Sequence, residues 1–346
     1  MKLLDMTNVM LTWYATPAET SRIKRAFPKG TTVFAPRDGT GALSRFECRL
    51  EDLVQAAPKA DAIMGWVLPE GLWNAAKKVK ALAFFHAGCD ELDFAMLKKR
   101  AIQVASIRGA NSIPVAEHAF ALMLGLAKRM VERHRWVEGA EWKPMFHPDF
   151  MGHGLAGKTI AIVGYGEIGT AVARRAKAFD MNVLGVRRNP KRGGQHADEM
   201  HGPGKLHAVL KRADFVILAV PMTEETDRLI DARAIAAMKK GAFLVNIARG
   251  NLVVESALHA ALMSGKVGGY AADVWWNYTN SFPATYHYPL VSRTGLHLLP
   301  NVICGGGVAA DIHGVAEREI DMGTESIAAF LRGKPMPRQI DLDRGY

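Results

Sequence analysis

Short apolar runs alternate with segments of helical periodicity along the first hundred residues of the chain. In the segments between the runs, apolar residues recur every three or four positions, as they do on one face of a helix. Such alternation is typical of a parallel sheet whose strands are joined by crossover helices. The runs that we predict as strands are residues 9–14, 32–35, 62–66, 81–85 and 103–106.

A long helix and a second alternating series follow. Ser112 is suited to cap the N-terminus of this helix, Pro114 suits its first turn, and apolar residues then recur as far as Met130. Beyond the helix we predict six further strands with intervening helices, which together form a doubly wound sheet. These strands are residues 159–163, 182–186, 215–220, 243–246, 269–274 and 302–304.

Length and composition agree with two α/β domains. The chain has 346 residues, of which 49% are apolar and 23% are charged, so disordered and coiled-coil classes are excluded. It lacks the uninterrupted apolar stretch of roughly 18 residues that a membrane span needs. Its first five residues lack the uncharged core of a signal peptide. We therefore expect a soluble, cytoplasmic protein that does not bind membranes.

Charge and cysteine content narrow the class of ligand. The chain has 44 basic and 34 acidic residues, and the net charge of +10 favours anionic ligands. The basic residues are dispersed, without an arginine-rich arm or zinc-finger spacing, so we expect no nucleic-acid partner. Cys48, Cys89 and Cys304 are scattered and form no paired motif, so we expect neither a disulfide framework nor a metal site.

A glycine motif lies between a predicted strand and a predicted helix. Gly164, Gly166 and Gly169 form a G-x-G-x-x-G sequence directly after the run 159–163. Glycines in this context make a tight turn, let the backbone approach a pyrophosphate, and place that group at a helix N-terminus. We predict that these glycines, together with Glu167 and Ile168, bind a dinucleotide cofactor.

The end of the next predicted strand carries two arginines, Arg187 and Arg188. Proteins that bind NAD usually have an acidic residue there, which accepts hydrogen bonds from the adenosine ribose. An acidic residue would repel a 2′-phosphate, whereas guanidinium groups bind it through paired hydrogen bonds. We therefore predict NADP(H) as the preferred coenzyme, with NAD(H) as the alternative.

Several further motifs accompany the glycine loop in a fixed order. They are His86-Ala87-Gly88-Cys89-Asp90, Val115-Ala116-Glu117-His118, Leu218-Ala219-Val220-Pro221 with Thr226, Val245-Asn246-Ile247-Ala248-Arg249-Gly250 and Ala272-Asp273-Val274-Trp275. Their order, over nearly the whole chain, resembles the D-2-hydroxyacid dehydrogenase family. This family of D-isomer-specific oxidoreductases includes glyoxylate/hydroxypyruvate reductases and phosphoglycerate dehydrogenases.

The resemblance implies a two-domain architecture. Both domains would be doubly wound parallel sheets, with a Rossmann cofactor domain inserted in a flavodoxin-like substrate domain. The substrate domain would comprise residues 1–110 plus 315–346, and the cofactor domain residues 111–314. The resemblance also implies an active site in the cleft between the domains, and a homodimer in which the long helix from Ser112 takes part.

The resemblance further implies roles for single residues. The backbone at Ala87 and Gly88 would hold the substrate carboxylate, and Arg249 would bind the carboxylate and carbonyl as a catalytic residue. A planar guanidinium suits this task because it holds two oxygens while polarising the carbonyl. Beyond the glycine loop and the two arginines, the implied cofactor contacts are Val220, Pro221, Thr226, Ile247, Ala248, Arg249 and Asp273.

The chain departs from the family where the proton donor is expected. Family members carry a histidine in a Pro-His-x-Gly-Gly loop and a glutamate that tunes it, and in this chain Gly307 and Tyr278 take those two positions. Reduction of a ketone by hydride gives an alkoxide that needs a proton. The candidate donors are Tyr278, His86 and His287, with His297 and His313 as weaker candidates. His287 and Trp275 are also predicted to line the substrate site.

The expected function is therefore an NADP-preferring oxidoreductase that transfers hydride between nicotinamide and a 2-oxo/2-hydroxy acid pair. The substrate would be a small-molecule carboxylate, and a bulky or aromatic acid is one candidate. The proton donor would differ from the histidine that is standard in the family. Two alternatives stay open at this point. One is a lyase or isomerase with transient hydride removal, and the other is a nucleotide-binding regulator without catalysis.

Overall fold

The computed structural model describes residues 8–36, 46, 48–276 and 291–346. The described residues divide into two compact units. The first unit contains those up to Ala110 and from His313 onward, and the second contains those between Asn111 and Ile312. Within the described ranges, no helix is both long and apolar enough to cross a membrane.

The described part of the first unit is built on a five-stranded parallel sheet in the order β2-β1-β3-β4-β5. This is the flavodoxin-like order of doubly wound folds. Two apolar layers cover the faces of the sheet. The strands are β1 (Asn8–Leu11), β2 (Thr32–Phe34), β3 (Ala62–Gly65), β4 (Ala81–Phe84) and β5 (Gln103–Ser106).

Helices cross over between these strands. The first begins with a capping box, because the Thr16 hydroxyl accepts from the Glu19 amide while the Glu19 carboxylate accepts from the Thr16 amide. The last helix of the chain returns to this unit and packs against β3 and β4. The helices are α1 (Pro17–Ala26), α2 (Leu50–Ala56), α3 (Glu70–Ala75), α4 (Phe94–Lys99) and α11 (Val315–Leu331).

The second unit, as far as it is described, holds a seven-stranded parallel sheet in the order β12-β11-β10-β9-β6-β7-β8. Its strands are β6 (Thr159–Val163), β7 (Asn182–Val186), β8 (Glu199–His201), β9 (Phe215–Leu218), β10 (Ala242–Asn246), β11 (Val267–Ala272) and β12 (Val302–Cys304). Its helices are α5 (Ser112–Ala127), α6 (Met130–Glu138), α7 (Glu167–Ala178), α8 (Leu206–Leu210), α9 (Ala232–Ala237) and α10 (Glu255–Met263).

The strand order of this parallel sheet reverses between β6 and β9. The sequence proceeds from β6 outward to β8 on one side, then returns and proceeds from β9 outward to β12 on the other. A crevice forms outside the carboxyl ends of the strands at such a switch point, and ligands of open α/β sheets bind there. The predicted fold class, two doubly wound parallel sheets, is confirmed.

Three details differ from the predicted elements. Asn111, and not the predicted Ser112, is the N-cap of α5, and Ser112 is the first residue of that helix. Strand β8 was not predicted, because Glu-Met-His at an exposed sheet edge has no apolar pattern. The predicted long helix is also divided, because Arg129 adopts a left-handed backbone conformation (φ 54°) between α5 and α6. A non-glycine residue in that conformation ends one helix and lets another begin in a new direction.

Candidate active site

The glycine loop lies at the switch point, between the ends of β6 and β9. Gly164 has φ +100°, and a Cβ atom there would collide with the backbone of Ala219 and Val220. A Cβ atom at Gly169 would collide with the Gly164 carbonyl and lie 3.2 Å from the Ile162 side chain. These two glycines are therefore required for the turn and for close packing of α7 on the sheet.

Gly166 has a different role from Gly164 and Gly169. It caps the N-terminus of α7, and a Cβ atom there would meet no atom within 4 Å. The space beside the N-terminus of α7 is therefore open at Gly166, and the positive end of a helix attracts an anion. This cradle fits the pyrophosphate of a dinucleotide, with Glu167 and Ile168 in the first turn of the helix.

Arg187 and Arg188, which we predict to favour NADP(H) over NAD(H), directly follow β7. The Arg187 guanidinium donates from Nη1 to the Gly193 carbonyl (3.0 Å), and its backbone amide donates to the His201 carbonyl (3.0 Å). Arg188 is half exposed and forms an ion pair with Glu225, with Nη2 and Oε2 at 2.6 Å. Both arginines lie at the carboxyl ends of the strands, as the glycine loop does, and adenosine is bound there in folds of this type.

Tyr165 is a site residue that was not predicted. Its ring is 3% exposed, and its hydroxyl donates to the Gln195 carbonyl (2.8 Å). Gly185 and Gly194 leave room for the ring, since a Cβ atom at either would lie within 2.8 Å of it. The tyrosine therefore ties the glycine loop to the turn on which Arg187 rests, and burial raises the pKa of its hydroxyl.

The residues after β9 that we predict to contact the cofactor lie in a loop closed by hydrogen bonds of Thr226. The Thr226 hydroxyl donates to the Pro221 carbonyl (2.7 Å) and accepts from the Thr223 amide (2.8 Å). Val220 is half buried and Pro221 is exposed. The threonine thus fixes a loop that borders the switch point.

Arg249 lies in the turn that follows β10, and the turn is held from both sides. The fully buried Asn246 donates from Nδ2 to the Arg249 carbonyl (2.8 Å) and accepts at Oδ1 from the Ala248 amide (3.1 Å). Gly250 packs so closely on Trp275 that a Cβ atom would collide with its backbone. The backbone that carries Arg249 is therefore positioned by neighbours, while Ile247 is buried and Ala248 half buried beside it.

Asp273, just after β11, organises the loop that follows β12. Its carboxylate is 5% exposed and accepts from the amides of Gly307 (3.0 Å), Val308 (3.2 Å) and Ala309 (2.9 Å). A Cβ atom at Gly305 would lie 2.5 Å from the Asp273 carboxylate. Backbone amides satisfy this buried charge, as buried carboxylates require. Its role toward the nicotinamide stays a prediction.

His118 lies beside this carboxylate and was recognised in the sequence only as part of a motif. Its Nε2 atom, on α5, is 3.3 Å from Oδ1 of Asp273. The imidazole forms an ion pair with the aspartate when it is protonated. Helical spacing alone gives no sign of this contact, because it joins residues far apart in the sequence.

Trp275 is placed in the core of the second unit. Its side chain is 4% exposed, and its indole Nε1 donates to the Gly305 carbonyl (3.0 Å). The indole therefore supports the loop that follows β12, and its burial does not favour the predicted role as an open substrate wall.

The His86 loop belongs to the first unit and follows β4. The His86 Nε2 atom is 3.1 Å from the Trp66 carbonyl, and its ring centroid is 4.8 Å from that of Phe84. Because a carbonyl only accepts, Nε2 carries a proton in this hydrogen bond. His86, Ala87 and Gly88 are half buried. Of the other candidates, Tyr278 and His287 lie outside the described residues.

Among the described residues, no group of three or more histidine, cysteine, aspartate or glutamate side chains is arranged to hold a metal ion. Cys48, Cys89 and Cys304 form no disulfide bond.

The glycine cradle, the sheet order and the loops at the strand ends are those of a dinucleotide-binding fold. The model of the family "D-isomer specific 2-hydroxyacid dehydrogenase, NAD binding domain" matches residues 120–305. A glyoxylate reductase of Korarchaeum cryptofilum is 35% identical over 274 residues, which cover 78% of each chain. A glyoxylate reductase of Thermococcus litoralis is 33% identical over 300 residues, 84% of this chain and 86% of that protein.

A solved structure supports the same assignment. The TT0316 protein of Thermus thermophilus matches with a TM-score of 0.74 and 29% identity, over 97% of this chain and 100% of that one. The chain belongs to the D-isomer specific 2-hydroxyacid dehydrogenase family. It is an NAD(P)-dependent oxidoreductase that acts on CH–OH groups, so the predicted family and enzyme class are confirmed.

Proposed function

We propose that this protein reduces small 2-oxo carboxylates to 2-hydroxy acids and uses NADPH in preference to NADH. The observation that carries the proposal is the shared position of Arg249 and the glycine cradle, since both follow strands of one sheet at its carboxyl edge. The name glyoxylate reductase, borne by the relatives described above, supports a small carboxylate such as glyoxylate as substrate.

The coenzyme preference is supported by charge at the end of β7. Arg187 and Arg188 stand where an acidic residue would bind the ribose of NAD. Each guanidinium can form charge-assisted hydrogen bonds with a 2′-phosphate. The Arg188–Glu225 ion pair is exposed, so it contributes only about 0–1 kcal/mol and a phosphate can replace the carboxylate.

Arg249 is the proposed substrate clamp. Its guanidinium would hold the carboxylate and polarise the ketone, while the first-unit backbone at Ala87 and Gly88 would hold the carboxylate as well. A bound nicotinamide would supply the hydride for the carbonyl carbon. The two electrons of the C=O π bond would move to oxygen, and the cationic Arg249 would stabilise the resulting alkoxide until a proton reaches it.

The proton donor is proposed to be non-standard. Gly307 takes the position of the family histidine, and its backbone supports that substitution. Its φ is +76°, a conformation that disfavours any side chain, and its amide is engaged by Asp273. The loop from Gly305 to Ala309 offers no titratable side chain.

His86 is the proposed donor, with Tyr278 and His287 as its competitors. We expect His86→Ala to lower kcat for 2-oxo acid reduction by about 100-fold or more, because general acid catalysis contributes 10²–10⁴-fold. Tyr278→Phe keeps the ring and should leave kcat within about threefold. Steady-state rates of both variants decide between them. A loss confined to Tyr278→Phe would transfer the role to the phenol, and full activity in both would exclude both.

A homodimer is proposed on the evidence of α6. None of the nine residues of this helix is buried. A helix this short is only marginally stable in water and usually depends on packing of one face against a partner. Val137 (79% exposed), Trp142 (81%) and Phe146 (85%) add apolar surface in and just after it. A cavity of about 270 Å³ is lined in part by Val131 of the same helix and by Met151. A second copy of the chain would cover this surface.

Light scattering should therefore give the mass of two chains. Val137→Lys should raise the dimer dissociation constant by about tenfold or more, because it buries an unpaired charge. Met263→Lys is the control, since Met263 is 66% exposed on α10 and outside this surface. A monomeric wild type, or equal effects of the two variants, would disprove the interface.

A further inference from the structure

A buried carboxyl group of the first unit is bound to an aromatic cluster. Glu319, on α11, is 6% exposed, and its Oε2 atom accepts from the Trp66 indole Nε1 at 2.7 Å. The Trp66 ring packs edge-on against Trp13, Phe46 and Phe85, with centroids 5.3, 4.8 and 4.7 Å away. A carboxyl group in such apolar surroundings is costly and is often kept for function.

Most of the neighbouring charged groups are paired with other groups, and Glu317, on the same helix, is exposed. Among the described residues, strands β3, β4 and β5 carry no charged side chain toward α11. The charged groups on and around α11 pair as Arg22 with Asp321, Arg318 with the Ala110 carbonyl, Arg332 with the Ala26 carbonyl, and Arg338 with Glu325. Burial therefore raises the pKa of Glu319 to about 7, and the Trp66 hydrogen bond opposes this only in part.

Trp66 contacts both Glu319 and His86. Its side chain donates to Glu319, and its backbone carbonyl accepts from the His86 Nε2 atom at 3.1 Å. The carboxyl group thus fixes the indole of Trp66, while the carbonyl of the same residue fixes the tautomer and orientation of the imidazole. Two hydrogen bonds join the carboxyl group to the histidine through one residue.

We propose that Glu319 is a positioning residue that acts through Trp66 to orient His86 and, when ionised, to stabilise its protonated form. The inference rests on the proposed function, because it assigns a purpose to the His86 proton. The imidazolium is the form of His86 that can protonate the alkoxide, and a negative charge linked to it through Trp66 favours that form. Glu319 does not itself contact the substrate in this scheme.

A histidine-ring NMR titration of the full chain tests the link without reference to activity. The His86 signal is assigned by its absence from His86→Ala. Glu319→Gln keeps an acceptor for the indole but removes the charge, and we expect it to lower the His86 titration midpoint by about 0.5–1 pH unit. The control is Glu317→Gln, an exposed glutamate of the same helix, which should leave the midpoint unchanged.

A second variant keeps the test decisive if Glu319→Gln folds poorly. Trp66→Phe keeps an aromatic ring but removes the donor, so Glu319 ionises at higher pH and the His86 midpoint should fall as well. Equal midpoints in wild type, Glu319→Gln and Trp66→Phe would overturn the inference. A shifted midpoint together with full reductase activity of His86→Ala would instead keep the link and reject His86 as donor.

Discussion

Replacing Arg249 by lysine should lower kcat/KM for 2-oxo acid reduction by about 10²- to 10³-fold, the cost of losing one preorganised group that stabilises an oxyanion. Lysine keeps the charge but cannot present two parallel N–H donors to a carboxylate and a carbonyl. The turn itself should persist, because Asn246 and Gly250 hold it through backbone contacts.

Two controls separate catalysis from folding. NADPH affinity, measured by fluorescence titration, should fall far less than kcat/KM in Arg249→Lys, because lysine keeps the positive charge and the glycine cradle is unchanged. Arg233→Lys, an exposed arginine on α9, should retain full activity. Wild-type kcat/KM in Arg249→Lys would remove this residue from the substrate site.

Changing Arg187 to aspartate together with Arg188 to alanine should weaken NADPH binding by about 100-fold or more. Two charge-assisted hydrogen bonds, each contributing about 1.5–3 kcal/mol, are lost, and an aspartate is placed near the 2′-phosphate. NADH lacks that phosphate, so its dissociation constant should change only a few-fold. Titration of both coenzymes against wild type and the double variant gives the four constants needed.

A nearby arginine provides the matched control for coenzyme binding. Arg192 is exposed in the turn that follows, and Arg192→Ala should leave the ratio of the two dissociation constants unchanged. Equal weakening of NADPH and NADH in the double variant would show that these arginines do not read the 2′-phosphate.

Local sequence predicts the parts of the site that depend on backbone conformation. The spacing of Gly164, Gly166 and Gly169 after an apolar run is enough to place a turn, a close approach and a helix N-terminus, and all three occur. The position of the arginines at the end of β7 can be predicted from the same strand–turn–helix–strand unit, because the length of the helix sets where the next strand ends. The fold class follows from the alternation of apolar runs.

The supporting contacts could not be predicted in this way. Asn246, His118 and Tyr165 act through partners that tertiary packing brings close, such as Asp273 for His118 and the Gln195 carbonyl for Tyr165. Arg129 breaks the long helix with a left-handed backbone that its residue type does not favour. The carboxyl group of Glu319 lies 253 residues from Trp66 in the sequence, so no local pattern joins them.

The most direct measurement is oxidation of reduced nicotinamide by the purified protein, followed by absorbance, across a panel of 2-oxo acids. The panel runs from glyoxylate and hydroxypyruvate to phenylpyruvate, with NADPH and NADH in parallel. We predict turnover of at least one 2-oxo acid, with a higher kcat/KM for NADPH than for NADH. Tight NADPH binding without turnover of any acid would contradict the proposed reductase.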